Sequence, residues 1–290
     1  KPRFAASALK PTHNLSGRWA VTFIRPNGTD RPAVAEFTQK GASVVGTVLT
    51  PSGDYRYLEG SIKDDSLLIS VFDGSHSYLL VARIASNNNL ADGIFYAGAN
   101  GREGWKAVRN STAELPDVGV TPQLKPGEER LDFQFRDLDR NMVGLSDERF
   151  QNKVVVIQLM GSWCPNCMDE TRFLNNYYKA NKKRGVEMIG LAYEYSTDYE
   201  RSRRSLSKFR DQFNVEYPLL ITPVWLNDTL RTEKTLPQIT PIKVFPTTIF
   251  IGKDGKVKKI ETGFVGPGTG IHHEKYKKEF EKFMEGLIRE

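Results

Sequence analysis

The chain has 290 residues, 39% of them hydrophobic and 26% charged, with a formal net charge of +6. That length suggests about two domains, and the apolar runs stay far below the ~18 residues that span a bilayer. The charge divides as +4 over residues 1–112 and +2 over 113–290, so neither half carries the dense basic block of a nucleic-acid binder.

The chain opens Lys1-Pro2-Arg3 with no initiator Met and no visible signal peptide. This is expected of a mature form whose targeting segment, and any membrane anchor with it, has been removed. Strand after strand follows over residues 15–110, at 18–25, 33–40, 43–49, 54–62, 66–73, 78–85, 90–97 and 103–108. Turn signals separate them: Pro26-Asn27-Gly28, Gly41, Pro51-Ser52-Gly53, Lys63-Asp64-Asp65, Asp73-Gly74 and Asn87-Asn88-Asn89. About eight short strands at this spacing predict an all-β antiparallel barrel or sandwich. Gly17-Arg18-Trp19 is similar to the G-x-W of lipocalin-like barrels, and Trp19 equally reads as a core plug. Asp73-Gly74-Ser75-His76 reads as a turn rather than a hydrolase motif. The role of this domain, 1–112, is open, and ligand or protein binding is one reading of it. Residues 113–130 are rich in Pro, Glu, Thr and Gly and read as a linker.

From 131 the pattern changes to strands alternating with helices. A small hairpin is expected over 131–146, a buried strand over 153–160 and a helix over 165–184. A strand over 186–192 and a charged helix over 198–213 come next. Tyr199-Glu200-Arg201-Ser202-Arg203-Arg204 is the most basic stretch and reads as a solvated face of that helix. A short strand at 218–221 and a loop with a short helix at 223–244 lead to a hairpin through Asp254-Gly255. A terminal helix, about 272–288, closes the chain. Such alternation means an α/β domain, 131–290, with helices on both faces of a sheet.

The only two cysteines, Cys164 and Cys167, lie in Trp163-Cys164-Pro165-Asn166-Cys167, directly after the buried strand. A lone C-x-x-C at a strand-to-helix junction is a redox motif. There the first sulfur faces unpaired backbone N–H groups and the positive end of the helix dipole, which favour a thiolate. The second cysteine lies one turn on, close enough to close a small disulfide ring. Other readings of the pair stay open at this level. A zinc site needs about four ligands, and His13, His76, His272 and His273 are not at finger spacing, so no metal is expected. A structural disulfide over so short a loop gains little. Two inert buried thiols are the third.

The second half resembles the thioredoxin fold, and in particular the TlpA/ResA-like thiol–disulfide oxidoreductases. The resemblance rests on Gly161-Ser162-Trp163-Cys164-Pro165-Asn166-Cys167-Met168-Asp169-Glu170, on Phe245-Pro246-Thr247-Thr248-Ile249-Phe250, and on Thr262-Gly263-Phe264-Val265-Gly266. It covers about 128–290. It implies that Cys164 is the exposed nucleophile and Cys167 the resolving cysteine, that Pro246 is a cis-proline facing them, and that Glu170 is an acid near the sulfurs. Trp163, Pro165 and Phe245 would border the substrate. Glu170 also reads as an exposed acid of the first helical turn, and Glu194 is a second candidate acid. The dipeptide Pro165-Asn166 departs from the Gly-Pro of thioredoxins and lacks the histidine of strong oxidants, which with the resemblance favours a reductant. The implied partners are protein disulfides of the periplasm or envelope, apocytochrome c among the candidates, and a second redox protein that recycles the dithiol. No cofactor is implied. A thiol peroxidase shares the fold, but the T-x-x-C signature is absent. The segment 223–244 is expected to border the substrate groove.

Overall fold

A computed structural model describes residues 13–25, 27–72, 76–116, 119 and 121–290. The expected turn residues Pro26 and Asp73–Ser75, Asp117 of the Pro-rich stretch and the opening Lys1-Pro2-Arg3 lie outside the described residues. The chain divides into two compact units, Lys1–Val118 with Val265–Glu274, and Gly119–Phe264 with Lys275–Glu290.

In the first unit the strands are β1 (Gly17–Ile24), β2 (Asp30–Lys40), β3 (Ser43–Thr50), β4 (Gly53–Asp54), β5 (Leu58–Lys63), β6 (Ser66–Phe72), β7 (Ser77–Ile84), β8 (Leu90–Ala97) and β9 (Gly101–Arg109). All pair antiparallel, mostly with their chain neighbours. Strand β1 pairs with both β2 and β9, which closes the ring. The result is an eight-stranded up-and-down barrel, with β4 a two-residue appendage on β3. The barrel alternative of the sequence is therefore the observed one. The strand expected over 54–62 is broken at Arg56, whose backbone is left-handed (φ 57°). There the Asp54 carboxylate accepts the Arg56 N–H at 2.6 Å and turns the chain.

Alternation of side chains along each strand sends one face inward. Trp19, Val21 and Phe23 of β1, Leu67, Ile69 and Val71 of β6, and Leu80, Ala82 and Ile84 of β7 are all buried. The interior is filled by the barrel's own rings: Phe23 lies 5.3 Å from Phe95, Phe95 stacks on Tyr55 at 5.1 Å, and Trp19 meets Phe37 at 6.4 Å. The buried indoles are hydrogen-bonded, Trp19 Nε1 to the Leu15 carbonyl and Trp105 Nε1 to that of Val81, each at 3.0 Å. Gly60 is required where β5 meets β6, because a Cβ there would lie 1.8 Å from the Leu68 carbonyl oxygen.

The second unit is built on the strands β10 (Gln134–Asp137), β11 (Met142–Gly144), β12 (Val154–Met160), β13 (Val186–Ala192), β14 (Leu219–Ile221), β15 (Thr247–Ile251) and β16 (Val257–Thr262). They form one mixed sheet in the order β11-β10-β14-β13-β12-β15-β16. Strand β12 is buried at every residue, pairing parallel with β13 and antiparallel with β15. A run this apolar is what a central strand covered on both faces requires. Among the described residues the α-helices that follow these strands in the chain are α1 (Pro165–Asn181), α2 (Tyr199–Phe213), α3 (Arg231–Thr235) and α4 (Ile271–Arg289). Phe173 of α1 lies 4.9 Å from Phe280 of α4, which in turn meets Phe250 of β15. The expected linker is not free over its second half, since Lys125 N–H bonds the Gln238 carbonyl and Thr240 N–H that of Gln123. No helix among the described residues is long and apolar enough to cross a membrane.

Trp19→Ala should remove the largest wholly buried side chain of the barrel and cost about 3–5 kcal/mol of its stability. Denaturant unfolding checks this: a midpoint unchanged from wild type would show that Trp19 is not a core residue.

Candidate active site

Helix α1 begins where β12 ends. Pro165 occupies its first turn, where the missing N–H costs nothing and the fixed φ suits the helix. Cys164 is the N-cap: its Sγ accepts the Cys167 backbone N–H at 3.3 Å. Cys164 and Cys167 are joined by a disulfide, with Cα atoms 5.2 Å apart. A cysteine pair at this spacing and separation is what a dithiol–disulfide motif requires. Cys167 is wholly buried and Cys164 is 4% exposed. Cys164, expected from the resemblance to be the exposed sulfur, is therefore itself buried.

The peptide between Phe245 and Pro246 is cis, and the Phe245 carbonyl oxygen lies 3.8 Å from the Cys164 sulfur. Trp163 packs edge-on against the Phe245 ring at 6.0 Å, and its indole N–H donates to the Tyr193 carbonyl at 2.9 Å. The exposed ring of Tyr195 lies 5.2 Å from Trp163. Gly161 leaves room for this arrangement, because a Cβ there would lie 2.1 Å from the indole nitrogen. Trp163, Cys164, Phe245 and the cis Phe245–Pro246 peptide are thus brought together, with Pro165 following at the start of α1 and Cys167 buried behind Cys164. Part of the segment 223–244 joins them: the Arg231 guanidinium sits 5.9 Å over the Phe245 ring and donates to the Leu226 and Ile242 carbonyls.

The two candidate acids stand in different places. Glu170 is not an exposed first-turn acid but is 1% exposed, on the inner side of α1. Its carboxylate accepts from the Gln158 amide and from the Thr248 hydroxyl, both at 2.8 Å. Gln158 Nε2 also donates to the Cys167 carbonyl at 3.1 Å, and its Oε1 accepts the Thr171 hydroxyl at 2.8 Å. Burial pushes the Glu170 carboxyl up to about 8, with the Thr248 and Gln158 bonds opposing that rise. Glu194 instead clamps the loop before the motif, accepting the Ser162 N–H and hydroxyl, each at 2.7 Å. Burial raises its carboxyl too, against those two bonds. Its own carbonyl accepts the Leu226 N–H at 3.0 Å, which ties the motif's lead-in to segment 223–244.

Sequence reasoning missed Gln158, Thr171, Ser162 and Tyr195. One signal was present: Gln158 is the single polar residue of an otherwise apolar buried strand, and a polar group there must find partners.

The raised Glu170 carboxyl has a consequence for stability. In the unfolded chain it ionises near 4.5, in the folded chain near 8. The stabilising difference is present in full below about 4.5 and is lost as pH rises through about 8. Glu170→Gln should therefore stabilise the protein relative to wild type increasingly between pH 4.5 and 8. The gain should level off above pH 8 at a few kcal/mol, taking about 1.4 kcal/mol per unit. Melting temperatures of the two proteins across this range test it; a constant difference would show that Glu170 ionises normally in the fold.

Residues 125–278 match the Redoxin family. The chain is 30% identical over 132 residues to the thiol-disulfide oxidoreductase ResA of Geobacillus kaustophilus, covering 46% of this chain and 66% of that protein. It is 27% identical over 140 residues to the ResA of Bacillus subtilis, covering 48% and 69%. The chain thus spans about two thirds of the length of these relatives. Among solved structures, a DsbF homologue from Corynebacterium diphtheriae aligns over 58% of this chain and 97% of its own, at 21% identity and a TM-score of 0.42. With the family match running over more than half of the chain, including Cys164, Cys167 and the Phe245–Pro246 peptide, the protein belongs to the Redoxin family.

Proposed function

We propose that this protein is a thiol–disulfide oxidoreductase that reduces protein disulfides through the Cys164–Cys167 dithiol. The observation that carries this is the placement of the Cys164 sulfur. It caps α1 by accepting the Cys167 N–H, and it stands at the rim beside the Phe245 carbonyl. Capping by an N–H and the helix dipole favours a thiolate at Cys164 once the pair is reduced. The names of the ResA relatives agree with this chemistry.

In the reaction the Cys164 thiolate attacks one sulfur of a client disulfide, and the other client sulfur leaves as a thiolate. Cys167 then loses its proton and attacks the Cys164 sulfur of the mixed disulfide. The second client thiolate is released, and the Cys164–Cys167 disulfide forms. Two electrons have passed to the client, so a second redox protein must return them. Glu170, tied through Gln158 to the Cys167 carbonyl, acts through its proton: burial keeps the carboxyl largely protonated at neutral pH, and its ionised form takes up the proton that Cys167 releases. Trp163, Pro165 and Phe245 form the rim against which the client lies, and the backbone at Phe245–Pro246 offers it strand-like pairing. The clients we propose are disulfide-bearing proteins of the periplasm or cell envelope, on the strength of the resemblance. The barrel is not proposed as a small-molecule carrier, because its interior is occupied by its own side chains.

Cys164→Ser should abolish exchange, and Cys167→Ser should accumulate a mixed disulfide with client, seen as a reducible higher-mass band; normal turnover by either variant would sink the assignment. Equilibration of the couple with a glutathione or dithiothreitol buffer should give a potential near or below about −250 mV, as for a reductant. A value near about −120 mV would mean that the protein installs disulfides instead.

A further inference from the structure

Strand β12 carries one polar side chain, Gln158, 1% exposed. Its orientation is fixed by what it touches. The Thr171 hydroxyl donates to Oε1, so Nε2 is the end that faces Glu170 and Cys167. One amide hydrogen goes to the Glu170 carboxylate and the other to the Cys167 backbone carbonyl. The second carboxylate oxygen of Glu170 is held by the Thr248 hydroxyl from β15. Both of Glu170's partners are therefore donors, and both favour the ionised carboxylate against its burial.

Resting on the dithiol reading proposed above, we infer that Gln158 is a positioning residue. Its amide orders the Glu170 carboxyl against the Cys167 end of the motif and sets the pH at which that carboxyl releases its proton. A buried carboxylate without donors stays protonated, and each donor to the charged form is worth more than a neutral bond. Gln158 bonds the same helical turn at two points, the Cys167 carbonyl and the Glu170 side chain, so the acid and the resolving cysteine keep one spacing. The other groups that face Glu170 act differently. Glu261 of β16, across from Thr248 in the ladder, raises the carboxyl by its like charge. The buried phenol of Tyr217 and the half-buried one of Tyr276 are held protonated by desolvation and, secondarily, by the Glu170 charge.

The test is a titration of the Glu170 carboxyl by carbon-13 NMR in the full chain, oxidised, for wild type, Gln158→Met and Gln158→Leu. Both variants replace the Gln158 donor by an apolar side chain of similar size, and the second keeps the test available should the first not fold. Wild type should titrate near pH 8, and each variant should titrate about one unit higher. In the reduced protein, the rate at which Cys167 resolves a mixed disulfide should shift its pH profile by the same amount. An unchanged Glu170 titration in folded Gln158→Met would overturn the inference, as would a uniform loss of rate at every pH. The carboxyl titration needs no disulfide chemistry. A shifted titration in a protein that exchanges no disulfides would therefore count for the role of Gln158 and against the proposed function alone.

Discussion

The candidate site is hung from a single buried strand. Strand β12 lies between a parallel neighbour, β13, and an antiparallel one, β15, and all seven of its residues are buried. Its C-terminal end delivers Gly161-Ser162-Trp163 and the first turn of α1. Its parallel neighbour ends at Tyr193-Glu194, which hold Trp163 and Ser162. Its antiparallel neighbour begins just after Pro246, which brings the Phe245 carbonyl to the Cys164 sulfur. Three strand ends at one edge thus converge on one sulfur, as ligand sites do at the carboxyl ends of strands in α/β sheets.

Desolvation then divides the work between two carboxyls. Glu170 and Glu194 are both buried, and burial raises both. Glu170 faces donors on two strands and lies under the motif, so its proton is poised near neutral pH. Glu194 spends both oxygens on one residue, Ser162, and serves the geometry of the loop that carries Trp163 and Cys164. The difference follows from where each element points its side chain. Glu170 sits on the inner face of α1, whereas Glu194 lies just past the end of β13.

The barrel shows the complementary case, a domain whose physics is packing. Inward alternation supplies enough large rings, Trp19, Phe23, Phe37, Phe95 and Trp105 among them, to fill an eight-stranded interior. An interior of that size is one that side chains alone can occupy. A G-x-W at the first strand is compatible with carriers and with filled barrels alike, and here Trp19 is a core plug.

Short-range physics was legible in the sequence. Period-two alternation named the barrel strands, an apolar run interrupted only by Gln158 named β12, and Cys164-Pro165-Asn166-Cys167 after it named a helix start with a capping sulfur. These signals act within a few residues of chain, so they survive without the fold. One local signal was overruled, at 54–62, where the Asp54 carboxylate turned the backbone at Arg56. The meaning of Glu170 was not legible, because its surroundings come from Gln158, 12 residues before it, and Thr248, 78 residues after. Nor was the clamp of Glu194 on Ser162, across 32 residues, or the approach of the Phe245 carbonyl to Cys164 across 81. The sequence by itself determined which atoms can exchange electrons, since a C-x-x-C at a helix start is a local object. Only the tertiary structure decided how those atoms are protonated and approached, because burial and hydrogen bonding there are set by strands far apart in the chain.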